Sequence, residues 1–210
     1  MPRKSASDRR EEILAATVEE IESTGLRTLR VADVADRLGL SPSLVIYHFV
    51  TKEALVAAAF AHAGENDLYR ARRLATGRRP ATERLSDVVR WYMPTGSTRS
   101  WKIWIDGWSA GLFDAEVRST FAALDRDWKT ILSGLIVEGL EAGEFRCAGT
   151  AEVTSAGVAE ATSTEAAEAC ATRILAYLDG LAVQLIFNPE SVSPAALSRW
   201  VEAFVARELE

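Results

Sequence analysis

The sequence predicts an all-α protein, and three observations carry that expectation. Apolar residues recur at the three- and four-residue spacing of a helix in the segments taken up below. Two helix starts are written as serine followed by proline, Ser41-Pro42 and Ser193-Pro194, in which the hydroxyl caps and the ring suits the first helical position. Glycine follows the last periodic residue at Gly25 and Gly39, where a helix ordinarily stops. The 210 residues are 48% hydrophobic and 26% charged, the balance of a soluble globular chain with one or two domains and a real core.

Asp8-x-x-Glu11 opens the first helix as a variant capping box, and Ile13, Leu14, Thr17, Val18 and Ile21 form its apolar face before Gly25. A second, short helix runs Val31–Leu38, with Val31, Val34, Ala35 and Leu38 on one side, and Gly39 ends it. Ser41 caps the third helix, Pro42 begins it and it continues over Ser43–Phe49. Thr51 caps a fourth that reaches about Leu74. Two short helices joined by a glycine-containing turn make a helix-turn-helix, a pair that also occurs in proteins that never meet DNA. The surface of the third helix adds the further signal. Val45 and Phe49, four apart, face inward and leave Ser43, Leu44, Ile46, Tyr47 and His48 on exposed or flanking faces. An exposed aromatic–His pair followed by Lys52 at a helix start suits phosphate contact.

After Gly77 and Pro80 a helix carries Leu85, Val88, Val89 and Tyr92, and Pro94 marks the next turn. Trp101, Trp104, Ile105, Trp108 and Leu112 then fall within about 100° of one helical face. Such a stripe serves either as plain core or as the wall of a pocket for a flat or cationic ligand. Trp101, Trp104, Trp108, Trp128 and Tyr92 are therefore candidate ligand contacts, whereas Asp106 lies off the stripe and away from the indoles. A helix from about Asp114 to Gly139 carries Phe121, Leu124, Trp128, Leu132, Leu135 and Ile136. Residues 148–168 are small, Thr/Ser/Ala-rich and poorly periodic, as expected of a surface loop with a frayed helix start. Two last helices present Ile174, Tyr177, Leu178, Leu181 and Leu185, then Leu197, Trp200, Val201 and Phe204.

The net charge of −6 taken alone argues against a nucleic-acid binder. It is unevenly spread: residues 1–52 hold eight basic and eight acidic side chains, so the whole deficit lies in 53–210. Arg3, Lys4, Arg9 and Arg10 form a basic arm before the helix-turn-helix, while Arg70, Arg72, Arg73, Arg78 and Arg79 read as a solvated face. Cys147 and Cys170 make no disulfide framework. Only two histidines occur, His48 and His62, with no HExxH, paired CxxC, GxGxxG or phosphate-loop motif, so no metal or cofactor is expected. No apolar run approaches the roughly 20 residues of a membrane span, the longest being Leu181–Phe187. The charged N-terminus has no apolar segment behind it, and a cytoplasmic protein is expected.

Residues 9–60 resemble the DNA-binding domain of the TetR family of one-component repressors. Gly25 carries the resemblance, with the runs Val34-Ala35-Asp36-Arg37-Leu38-Gly39-Leu40-Ser41 and Ile46-Tyr47-His48-Phe49-Val50-Thr51-Lys52-Glu53-Ala54-Leu55. It implies a three-helix DNA-binding domain over 1–52, whose third helix enters the major groove, and a helical-bundle domain for ligand sensing and dimerisation over 53–210. Carried over by position, Tyr47 and His48 contact phosphates or base edges, Lys52 grips the backbone, and Ser43 and Leu44 face the bases. Ser41 and Arg30 join them as candidate DNA contacts. Arg30 departs from the Ser or Thr cap usual there, and an arginine reaches a phosphate instead. The third helix lacks Arg, Lys, Asn and Gln, so reading through thymine methyls, Ser43, Tyr47 and DNA shape is expected.

The Trp-rich helix, Gly143-Glu144-Phe145-Arg146 and Leu178-Asp179-Gly180-Leu181-Ala182 are similar to regulatory domains of choline-responsive repressors of betaine synthesis, from which the 148–168 segment departs. This implies an aromatic-lined cation pocket. The family resemblance also implies a four-helix bundle with a second subunit, through Tyr177, Leu178, Leu181, Leu185, Trp200 and Phe204. The expected function is a homodimeric repressor, released from a palindromic double-stranded operator by a small-molecule effector. Two other readings stand beside it: an enzyme built on the Trp-lined cavity, which lacks a nucleophile–base pair, and a helical module that binds proteins alone.

Overall fold

The structure is a computed structural model and describes residues 5–94, 98–146, 151–154, 157–160 and 163–210, with the backbone alone at 98–100 and in the two short strands. Among the described residues it is all-α apart from one hairpin. The helices are α1 (Ala6–Thr24), α2 (Val31–Leu38), α3 (Pro42–Phe49), α4 (Lys52–Ala75), α5 (Ala81–Tyr92), α6 (Thr98–Gly111), α7 (Ala115–Glu141), α8 (Ser163–Phe187) and α9 (Pro194–Glu208). A 3-10 turn, Leu26–Thr28, links α1 to α2. Part of the segment expected to be a loop is instead an antiparallel hairpin of β1 (Ala151–Thr154) and β2 (Gly157–Glu160), with Ala151 opposite Glu160, and α8 begins immediately after it. Residues 147–150 and Arg3 and Lys4 of the basic arm lie outside the described residues.

The chain divides into two compact units. One comprises α1–α3, the first part of α4, α6 and the start of α7, so it extends the expected 1–52 module with later segments. Its core is formed by Ile13, Ile21, Leu29, Val34, Val45, Phe49, Leu55, Phe60 and Ile103. The α1 start corrects the sequence reading. Ser5 is the cap and Asp8 the third residue of the box, with Asp8 N donating to Ser5 Oγ at 3.0 Å and Ser5 N to Asp8 Oδ2 at 3.2 Å. Buried Thr17 donates to the Ile13 carbonyl at 2.7 Å, so its hydroxyl costs the core no orphaned polar group.

The α6 helix also differs from expectation. Its buried side is Ile103, Gly107 and Gly111, while the tryptophan stripe is half-buried and Leu112 is exposed. A Cβ at Gly107 would overlap the Phe121 ring, so the absent side chain is what lets α6 approach α7 this closely.

The second unit holds the end of α4, α5, the rest of α7, α8 and α9. Arg84 is buried and fully used, donating to the carbonyls of Ala75 and Arg79 and to Glu138. By length and mean hydropathy α8 would suffice to cross a membrane, which run length alone did not suggest. Ala167, Cys170, Ala171, Ile174, Leu178, Ala182 and Leu185 bury a stripe along it at helical spacing, the signature of a core helix.

Glu144, just past α7, caps α5. Its carboxylate accepts from Thr82 N at 2.9 Å, Thr82 Oγ1 at 2.8 Å and Ala81 N at 3.2 Å. These bonds, the Thr82 backbone bond foremost, hold the carboxyl below the usual carboxylate range. A depressed carboxylate stabilises the fold above its unfolded pKa of about 4.3, and that contribution disappears as pH falls through the folded value. A Glu144→Gln protein should therefore melt below wild type at pH 7, with the two melting curves converging in acid. A gap that is independent of pH would show that the charge plays no part.

Candidate functional site

The second and third helices meet at Gly39, whose left-handed φ of 65° turns the chain, and Ser41 Oγ accepts from Leu44 N at 3.2 Å to start α3. Val45 and Phe49 are buried as expected. The period of 3.6 residues then sends Ser43, Leu44 and Tyr47 outward, Tyr47 being 79% exposed, with Ile46 and His48 half-buried on the flanks. Tyr47 and His48 meet edge to face at 5.5 Å, a ring pair held at the surface. Thr51 Oγ1 accepts from Ala54 N at 3.0 Å and sets Lys52 in the first turn of α4, where first-turn amides add positive potential.

Positive charge in this unit sorts into two groups. Arg9 pairs with Glu12 at 2.9 Å. Arg10 donates to the His48 carbonyl at 2.8 Å and lies 4.1 Å over the Phe49 ring, so it ties α1 to the end of α3. Arg37 bridges α2 to Glu20 and Glu19 of α1 at 2.6 and 3.2 Å, and the Glu20 bond holds its guanidinium more firmly charged than usual. By contrast, the side chains of Arg30 and Lys52 have no partner among the described residues. Arg30 occupies the cap position of α2 without capping it and is exposed to solvent. The arginines of the expected arm that are described thus serve the fold. Of the side chains expected to touch DNA, Arg30 and Lys52 are the cations open to a phosphate.

Between α3 and α4 stands Val50, 77% exposed and at φ 69°, ψ −52°. Thr51 N donates to the Phe49 carbonyl at 2.7 Å, closing a three-residue γ-turn around it. A β-branched residue at positive φ is strained, and it sits where the third helix joins the fourth.

The aromatic candidates belong to different units. In the first, Trp101 and Trp108 meet edge to face at 6.4 Å, and Trp104 packs on Phe121 at 5.9 Å. Asp106 is turned away from that stripe, as expected. Its Oδ2 accepts from Leu26 N at 2.7 Å and pins the 3-10 turn after α1 to α6. In the second unit Tyr92 meets Trp128 edge to face at 4.7 Å, and its hydroxyl donates to Asp179 Oδ1 at 2.7 Å. The result is two ring systems with a carboxylate beside them. Asp179 belongs to the Leu178–Ala182 run of the sequence resemblance but was not among the expected ligand contacts, though an acid in the apolar centre of α8 is the signal that points to it.

Of the residues expected at a subunit contact, Leu178 and Leu185 are buried in the chain's own core and offer no surface. Tyr177 and Phe204 stack at 4.0 Å, Trp200 is about half-exposed and Leu181 half-buried.

Residues 13–59 match the model of bacterial regulatory proteins of the tetR family, and residues 81–159 and 150–210 match that of the BetI-type transcriptional repressor C-terminal domain. No curated protein matches the chain. Among solved structures it is similar to a Saccharomonospora viridis protein described as a transcriptional regulator, in complex with choline. That pair shares 22% identity over 97% of this chain and 98% of the other, with a TM-score of 0.81. A TetR transcription regulator from Haloarcula marismortui is 18% identical over 97% and 100%, TM-score 0.79. FadR from Bacillus subtilis, in complex with stearoyl-CoA, is 18% identical over 95% and 98%, TM-score 0.69. At these identities the likeness is one of fold.

The strain at Val50 is open to direct measurement. Val50→Gly should raise stability by about 1 kcal/mol, because relief of the backbone exceeds the entropy glycine adds to the unfolded chain and little buried surface is lost. A lower melting temperature would show that the valine side chain contributes more than its conformation costs.

Proposed function

The chain belongs to the TetR family of bacterial regulatory proteins, and on that ground we propose that it is a ligand-responsive transcriptional repressor. It acts in the cytoplasm as a homodimer on a palindromic double-stranded operator. The observation that supports DNA reading best is the face of α3, where buried Val45 and Phe49 hold Ser43, Leu44 and Tyr47 out to solvent. Residues 1–52 bind DNA in this reading and 53–210 sense the ligand and dimerise. Ser43 and Leu44 meet base edges and thymine methyls. Tyr47, His48, Lys52 and Arg30 hold phosphates, with Ser41 fixing the start of the helix that carries the readers. Two copies are required because half-sites recur about 34–36 Å apart along the duplex. The accessible Tyr177, Leu181, Trp200 and Phe204 supply the apolar contact between copies.

For the effector, Tyr92, Trp128 and Asp179 favour a compact organic cation, since ring faces and a carboxylate both attract positive charge. The choline bound to the similar S. viridis protein has that chemistry. Trp101, Trp104 and Trp108 of the first unit are proposed as further ligand contacts. Release of the operator requires that the ligand bind the non-binding arrangement more tightly, by several kcal/mol for near-complete release.

Selection of bound sequences from genomic DNA by the purified protein, followed by gel shifts, tests the first half. Tyr47→Ala and Lys52→Ala should each weaken the selected operator by about tenfold or more, and Arg30→Ala should lower the slope of affinity against salt by about one. Normal affinity in the Tyr47 and Lys52 variants would remove these residues from the interface. Choline is the probe for the second half. It should release the operator, and Asp179→Asn, which keeps the Tyr92 hydrogen bond but loses the charge, should demand about tenfold more of it. Equal response in wild type and variant would exclude the carboxylate from the site.

A further inference from the structure

A groove of about 320 Å³ lies between α5 and α9 in the second unit, and neither Tyr92, Trp128 nor Asp179 lines it. Two contacts fix its orientation. Glu144 binds Thr82 at the start of α5, and Arg146 N donates to the Leu209 carbonyl at the end of α9 at 2.8 Å, so the helices run antiparallel along the groove. Leu85 and Val89 form one wall, Val201 and Leu209 the other, and Phe145 closes one end, all of them buried.

The charges sit on the opposite rims. Arg90 extends from α5, and its links on that helix are long, 3.5 Å to Asp87 and 3.4 Å to Ser86 Oγ. Glu202 extends from α9, exposed, with no partner among the described residues. The antiparallel register brings Arg90 and Glu202 toward the same end, away from Phe145. A ligand with a carboxylate alone would meet Glu202 as a repulsive charge, and an amine alone would meet Arg90 in the same way.

We propose that this groove is a small-molecule site for an apolar zwitterion, a hydrophobic amino acid or a molecule of that chemistry. The ligand's carboxylate is held by Arg90, its ammonium group by Glu202, and its apolar tail lies along Leu85, Val89 and Leu209 toward Phe145. A pocket of this volume, apolar in its walls with a few convergent charges, has the usual anatomy of a small-ligand site. The site does not depend on the effector reading above.

Calorimetric titration of the full-length protein with L-phenylalanine tests the proposal, with 3-phenylpropionate and phenethylamine as probes that each lack one charge. L-phenylalanine should bind, and each truncated probe should bind about tenfold more weakly or less. Arg90→Ala and Glu202→Ala should each lower phenylalanine affinity about tenfold while operator affinity without ligand is unchanged, and Asp179→Asn should leave phenylalanine binding intact. Binding of a truncated probe as tight as that of L-phenylalanine overturns the proposal, as does no heat from any of the three. Loss of the dimer in an Ala206→Phe protein would show the groove to be a contact between copies and would equally overturn it.

Discussion

The inward burial of Val45 and Phe49 is the constraint from which the candidate DNA surface follows. Both side chains are fixed in the core that α1, α2 and α4 share, so α3 has no freedom to roll about its axis. With 3.6 residues per turn, anchoring two residues four apart determines where every other side chain of an eight-residue helix points. Arg10 adds a lateral restraint by binding the last turn of α3 through its carbonyl and its ring. The outward face therefore inherits its precision chiefly from apolar packing, with the Arg10 bond as a tie at the end of the helix.

The same unit shows how a helix from later in the chain, α6, comes to share a core with the helix-turn-helix. Ile103 of α6 is buried with the residues that hold α1 and α3, Gly107 admits the Phe121 ring, and Asp106 accepts the amide that opens the turn before α2. Displacing α6 thus requires a carboxylate bond to break and a close aromatic contact to be repacked. Discrete arrangements follow more readily from such contacts than graded ones, because a packed core does not deform continuously.

Much of this was legible in the sequence where the signal is local. Caps, stops and periodicity placed α2 and α3 to within a residue, since Ser41, Pro42 and Gly39 act on their own neighbours. The misses share a cause, because each depends on a partner distant in sequence. The α6 tryptophans outweigh Gly107 and Gly111 in any apolar pattern, yet Gly107 is buried because the Phe121 ring comes to it and Gly111 because Arg118 does. Leu178 and Leu185 look like surface for a second subunit until the chain's own helices cover them. Asp179 gains meaning only when Tyr92 bonds it, 87 residues away. At the start of α1 the cause was different: Asp8 reads as a cap with Glu11 three residues on, but it is the third residue of a box capped by Ser5, as their reciprocal bonds show.

The internal pairing of Arg9, Arg10 and Arg37 has a consequence for how the protein behaves in a changing cell. Each phosphate neutralised by a lysine or arginine frees a condensed counterion, and the number freed sets how steeply occupancy falls as the ionic medium concentrates. With Arg9, Arg10 and Arg37 engaged by the module's own carboxylates, a carbonyl and a ring, those three free fewer counterions than their formal charge suggests. Where such a module meets DNA, its occupancy falls less steeply with ionic strength than the arginine count alone would suggest, and the fit of the reading helix carries correspondingly more of the binding.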